Sequence, residues 1–84
     1  MQAIGRQVFV WWGGSEHDHK HDCYLRVDSS YRFAVKGARA GAAIFRSFNG
    51  TAIALEWPGS SEWTHYPIND LIAINALPGH GPWD

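Results

Sequence analysis

With only one cysteine, Cys23, this 84-residue chain cannot close an intrachain disulfide. That fits a reducing compartment, and it leaves a metal or self-association as the reinforcement available to so short a polypeptide. No apolar run approaches the roughly 20 residues of a membrane span, and Met1-Gln2-Ala3-Ile4-Gly5-Arg6 lacks the long apolar stretch of a signal peptide. The expectation is a cytoplasmic protein with no membrane partner. An excess of charge of either sign is missing too: seven Lys and Arg face eight Asp and Glu, for a formal net charge of −1. With no basic run to attract a polyanion, nucleic acid is disfavoured as a partner. No internal repeat or low-complexity linker divides the chain, and its length leaves room for one domain. No serine sits in a nucleophile elbow, and Gly37-Ala38-Arg39-Ala40-Gly41 lacks the third glycine and the strand-to-helix context of a phosphate loop. Nucleophilic and nucleotide chemistry are unsupported, and the reading leans away from an enzyme.

What is abundant is aromatic surface. Five Trp, four Phe and three Tyr are hard to bury inside a core this small. Some of these rings are expected at an interface, which points to a homo-oligomer.

The punctuation of the second half reads as strands. Asn49-Gly50 is a strong hairpin signal, because a type I′ turn needs positive φ at both central residues and Asn and Gly tolerate it best. A two-residue loop there sets Phe48 opposite Thr51, Arg46 opposite Ile53, Ile44 opposite Leu55 and Ala42 opposite Trp57 on the core side. Phe45, Ser47, Ala52, Ala54 and Glu56 take the other side, and Arg46, the misfit in the core set, is expected near an edge with its head in water. Pro58-Gly59 reverses the chain again, Pro pre-setting the second turn position and Gly supplying the positive φ of the third. Glu62 to Tyr66 follows as a strand that Pro67 ends, then a turn or single helical turn at Asn69-Asp70, then a strand from Leu71 to Ile74. An alternative stands for residues 38–48: Ala40, Gly41, Ile44, Phe45 and Phe48 also fall on one helical face, which makes the fold α+β with a short helix there.

In the first half, Arg6 to Trp12 is an apolar strand. Cys23 to Val27 is an alternating one, with Tyr24 and Arg26 opposite Cys23, Leu25 and Val27, and the two are expected to pair. Asp28-Ser29-Ser30 turns into a further strand, Tyr31 to Lys36. The single domain thus reads as an N-terminal hairpin with a His-rich loop (1–28), a barrel (31–77) and a tail (78–84). Consecutive residues of a strand face opposite sides, so of Trp11 and Trp12 at least one lies outside a one-sided core and needs a partner.

Three constellations bear on chemistry. In an extended chain His17, His19 and His21 point the same way, and three imidazoles with an open position match catalytic zinc, although Lys20 sits among them and no Cys pair supports a site. The favoured reading is a solvated hairpin loop, so no cofactor is expected, with zinc as the alternative. Cys23 and His21 lie about 7 Å apart along a strand, poor geometry for a thiol and its base. Trp57, Trp63 and Tyr66 flank one turn beside Glu56 and Glu62, an arrangement open to an aromatic cage for a cation or to plain core and interface packing.

From Arg39 onward the order of elements resembles an SH3-like barrel: strands, a short helical turn, a last strand read from Tyr66-Pro67-Ile68-Asn69-Asp70-Leu71-Ile72-Ala73-Ile74-Asn75. Arg39-Ala40-Gly41-Ala42-Ala43, and Pro58-Gly59-Ser60 leading to Tyr66-Pro67, are similar to segments of the plasmid- and integron-borne type II dihydrofolate reductases, over about residues 39–77. The resemblance implies a barrel and a tendency to oligomerise. In that family a basic residue before the Gly-Ala-Ala segment attracts anionic ligands and a Val-Gln-Ile-Tyr strand lines a pore shared by four subunits. Arg39 and Tyr66 match those positions, but Thr64 replaces the glutamine and Trp63 and His65 replace the aliphatics, so the activity does not carry over. The first reading is therefore a mostly β, antiparallel, non-enzymatic interaction module that self-associates, with Trp57, Trp63, Tyr66, Arg39, Trp11 and Trp12 on its binding surface. The second is a protein that binds a small molecule or nucleotide cofactor where subunits meet, through Arg39, Thr64, His65 and Tyr66. The third is a metal-binding protein through the histidine loop.

Overall fold

The computed structural model describes residues 6–14, 19–38 and 40–77, and within them the chain is antiparallel β throughout. Strands β1 (Gln7–Gly13) and β2 (Lys20–Arg26) form a two-stranded hairpin. Strands β3 (Ser30–Val35), β4 (Ala40–Phe48), β5 (Ala52–Glu56), β6 (Thr64–Pro67) and β7 (Leu71–Asn75) form a second sheet in the order β6-β5-β4-β3-β7. A 3-10 turn at Ile68–Asp70 separates β6 from β7 and lets the last strand return to pair with β3, the first of its sheet. No ladder joins β6 to β7 among the described residues, so the sheet is open rather than closed into a barrel.

Alternation builds the core. Val10 and Trp12 from β1 and Leu25 from β2 point inward against Tyr31, Phe33 and Val35 of β3, Ala43 and Phe45 of β4, Ile53 and Leu55 of β5, Trp57 and Leu71. The hairpin lies over the sheet against β4, the 3-10 turn and β7. The Trp12 indole N–H donates to the Ile72 carbonyl at 3.3 Å, tying the hairpin to the edge of the larger sheet.

With the expected barrel over residues 31–77 corrected to an open sheet, three further readings are overturned, the first of them the helical alternative. Residues 38–48 contain a strand, not a helix: β4 is hydrogen-bonded along both edges, to β3 and to β5, and its alternation of buried Ala43 and Phe45 has the period of two that a sheet rewards. The Asn49-Gly50 hairpin is wider than a two-residue turn. Asn49 Oδ1 accepts from the backbone N–H and hydroxyl of Thr51, each at 2.9 Å, and from the Ala52 N–H at 2.8 Å, so the side chain closes the loop and only Gly50, at φ 97°, needs the left-handed region. Phe48 therefore pairs with Ile53, not Thr51. A register shift between Phe45 and Ser47 completes the rearrangement, turning Phe45 inward opposite Leu55. Arg46 consequently faces out from a central strand and not from an edge. The Pro58-Gly59 reversal forms as expected, with Ser60 N–H donating to the Trp57 carbonyl at 3.1 Å and Gly59 at φ 85°.

Candidate functional site

Two surfaces carry exposed rings, and they are built differently. The register of the hairpin sets Gln7 opposite Arg26, Phe9 opposite Tyr24, Trp11 opposite Asp22 and Gly13 opposite Lys20, all on the side away from the core. Phe9 and Trp11 are each 41% exposed and Tyr24 is 52% exposed. The rings touch one another: Phe9 and Tyr24 centroids lie 5.0 Å apart, Phe9 and Trp11 5.9 Å. Trp11 also meets Phe48 edge-on at 4.9 Å, which links the patch to the end of β4. Its neighbour Trp12 is 8% exposed and part of the core, so the two consecutive indoles divide between the faces as strand geometry requires.

Within this face Arg26 is an oddity. Its Nε is shut off from water and has no hydrogen-bond partner among the described residues, while its backbone N–H donates to the Tyr31 hydroxyl at 2.9 Å. A buried guanidinium N–H without an acceptor forfeits its hydration with nothing in return.

The second surface lies on the outward side of the larger sheet. Arg46 donates from Nε and Nη2 to Glu56 Oε1 at 3.0 and 2.6 Å and from Nη1 to Asp28 Oδ1, and its guanidinium sits 5.5 Å from the Trp63 ring centroid. The hydrogen bond to Glu56, then that to Asp28, raises the Arg46 pKa, so the cation is permanent at any working pH. Trp63, 49% exposed, is capped by a charge that is already satisfied on its other side. Trp57 lies in the core with its indole N–H donating to the Tyr66 hydroxyl at 2.7 Å, so the turn at Pro58-Gly59 brings Trp57 and Tyr66 together while Trp63 turns to Arg46. Thr64 and His65 are exposed on β6, an edge strand. Arg39 and His17 lie outside the described residues. His19 and His21 are exposed, and His21 stacks on Trp12 at 5.4 Å; among the described residues no group of three metal-ligating side chains forms.

Among the described residues three small clefts stand out. One of about 240 Å³ lies beside Trp57, Pro58 and Gly59, and one of about 300 Å³ between Trp12, His21, Lys36 and Asp70. Cys23 borders a third, of about 170 Å³, with Tyr31 and Ile74. Burial, and secondarily the Asp22 carboxylate, pushes the Cys23 thiol above its ordinary pKa, the opposite of an activated nucleophile.

Sequence reasoning singled out Trp11 but missed Phe9 and Tyr24. The signal was available: Tyr24 and Arg26 fall on the polar side of an alternating strand, and pairing that strand with Arg6–Trp12 brings Phe9 across from Tyr24. Among the described residues no helix is long and apolar enough to cross a membrane. Compared with protein-family models, with curated proteins and with solved structures, the chain has no match.

Proposed function

We propose that this chain is a small non-enzymatic interaction module that associates with copies of itself through the outer face of its N-terminal hairpin. The observation that carries the reading is the contiguous set Phe9, Trp11 and Tyr24 on the side of a two-stranded ribbon whose other side already supplies the core. Rings in mutual contact, half open to water and outside the buried core cluster, have the composition of an interface centre. The strand order β6-β5-β4-β3-β7 with its 3-10 turn supports an SH3-like relationship with the sheet left open, and with it a small module that works by association. The half-buried free thiol of Cys23 supports a reducing, cytoplasmic setting.

Light scattering on the purified chain tests the reading. Dimers or higher species are expected at micromolar concentration, and Trp11→Ala is expected to shift them toward monomer without unfolding the chain. A chain that stays monomeric over that range, or an assembly indifferent to Trp11→Ala, rejects it. Titration with dihydrofolate and NADPH, read by Trp fluorescence, is expected to give no saturable quenching; saturation would favour the small-molecule reading through Thr64, His65 and Tyr66.

A further inference from the structure

The ring face is flanked by charge in an order that restricts how two copies can meet. Along β2 the outward positions read Arg26, Tyr24, Asp22, Lys20: positive, aromatic, negative, positive. Isologous pairing by a two-fold axis lying across the strands superposes this row on its own reverse. An axis midway between the Tyr24 and Asp22 rows sets Arg26 over the partner's Lys20, like on like. An axis through the Asp22 row sets Asp22 on Asp22. An axis through the Phe9–Tyr24 row alone sets each Arg26 over the other copy's Asp22, twice, with the rings stacked between the two ion pairs.

Resting on the self-association proposed above, we infer that the chain forms a two-fold dimer, hairpin against hairpin, in which Arg26 of each copy pairs with Asp22 of the other. The independent support is the condition of Arg26 in the single chain. Arg46, also partly buried, is saturated by Glu56 and Asp28, whereas Arg26 makes no ion pair among the described residues and its Nε, closed to solvent, has no acceptor there. Asp22 is exposed and likewise makes no ion pair there, so an arginine without a carboxylate and a carboxylate without a cation stand four residues apart on one face of β2. The occupant that presents the complementary set at the same spacing is a second copy. The three rings offer on the order of 300 Å² per copy, taking about 150–250 Å² for a fully buried ring. A standard interface uses about 800 Å² per partner, so the contact extends past them to Phe48 and the strand ends and is reversible.

Sedimentation equilibrium on the full chain tests this by charge exchange. Asp22→Lys and Arg26→Glu are each expected to weaken the dimer at least about tenfold by setting like charges opposite each other, and the double variant to recover to within about threefold of the original chain. Raising salt is expected to weaken the original dimer, because the pairs are screened. Circular dichroism checks that each variant folds. If Arg26→Glu does not fold, Asp22→Lys together with Arg26→Gln takes its place: removing the opposed cation should then relieve the defect of Asp22→Lys. A dimer that is weakened by Trp11→Ala but indifferent to both charge variants, or a double variant no better than the singles, overturns the pairing and leaves the ring interface standing. A monomeric original chain overturns both.

Discussion

The hairpin and the five-stranded sheet are built by the same alternation, yet they treat their outward faces in opposite ways. On the sheet, the exposed ring of Trp63 lies against Arg46, and Arg46 is in turn held by Glu56 and Asp28, so polar groups satisfy one another across β4 and β5. On the hairpin, Phe9, Trp11 and Tyr24 pack against each other and Phe48, and Arg26 Nε has no acceptor among the described residues. A two-stranded ribbon is marginally stable by itself. What holds this one is its inner face, Val10, Trp12 and Leu25 in the common core. Its outer face leaves rings open to water, the surface proposed for association, whereas the outer face of the sheet is covered by its own charge pairs.

The largest effect that should separate the two regions is a ring deletion on each. Phe45→Ala removes a fully buried ring from the centre of the sheet and is expected to cost about 3–5 kcal/mol. Trp11→Ala, measured where the chain is monomeric, gives up mainly its edge-on contact with Phe48 and is expected to cost about 1 kcal/mol. Urea unfolding measures both. Equal costs would mean that the outer face of the hairpin belongs to the core, and the contrast would collapse.

Next in size is the loop that borders both regions. A side chain at Gly50 would meet the edge of the Trp11 ring, and the three bonds to Asn49 Oδ1 close the β4–β5 loop. Asn49→Ala is expected to cost about 1–2 kcal/mol in the same unfolding experiment, whereas Asn49→Asp, which keeps the acceptor, should cost much less. Smaller still is Trp12→Phe, which keeps a ring in the core but removes the donor to the Ile72 carbonyl. About 1 kcal/mol of that bond should appear as a roughly fivefold faster hydrogen exchange of β1 and β2 amides, with those of β3 to β5 little changed. A uniform change across both sheets would show that hairpin and sheet open as one unit.

These differences also mark what could be read from the residues alone. Pro58-Gly59, the 3-10 turn at Ile68–Asp70 and the pairing of the first two strands were legible because each is dictated by local chemistry: a fixed proline φ, a glycine at positive φ, strict alternation. The division of Trp11 from Trp12 was legible for the same reason. Asn49-Gly50 misled because its dipeptide signal describes two residues, while Asn49 reaches on to Thr51 and Ala52 with its side chain and closes a longer loop. The face of β4 was misassigned in consequence, since a shift between Phe45 and Ser47 moves Phe45 into the core and Arg46 out. Arg46 looked like an edge residue because its two carboxylate partners come from separate turns of the chain, Asp28 and Glu56, and no local pattern announces that meeting. The ring face escaped notice because Phe9 and Tyr24 are adjacent only across a ladder.

The finest probe of the contrast is Cys23, on the inner side of β2 between two residues of the outer face. Burial raises its pKa first and the neighbouring Asp22 carboxylate second. Less thiolate is therefore present at neutral pH than for an open cysteine, and alkylation by iodoacetamide is expected to be slow, with a midpoint above the ordinary thiol range. Asp22→Asn should lower that midpoint slightly, because it removes only the lesser cause. If Asp22 is engaged by the partner's Arg26, the added cation opposes the carboxylate, and the midpoint should also fall slightly as the original chain is concentrated into its dimer. In Asp22→Asn the carboxylate that concentration would neutralise is already gone, so the pH profile should respond less to concentration; an equal response in both chains would place the Arg26 head group somewhere other than opposite Asp22.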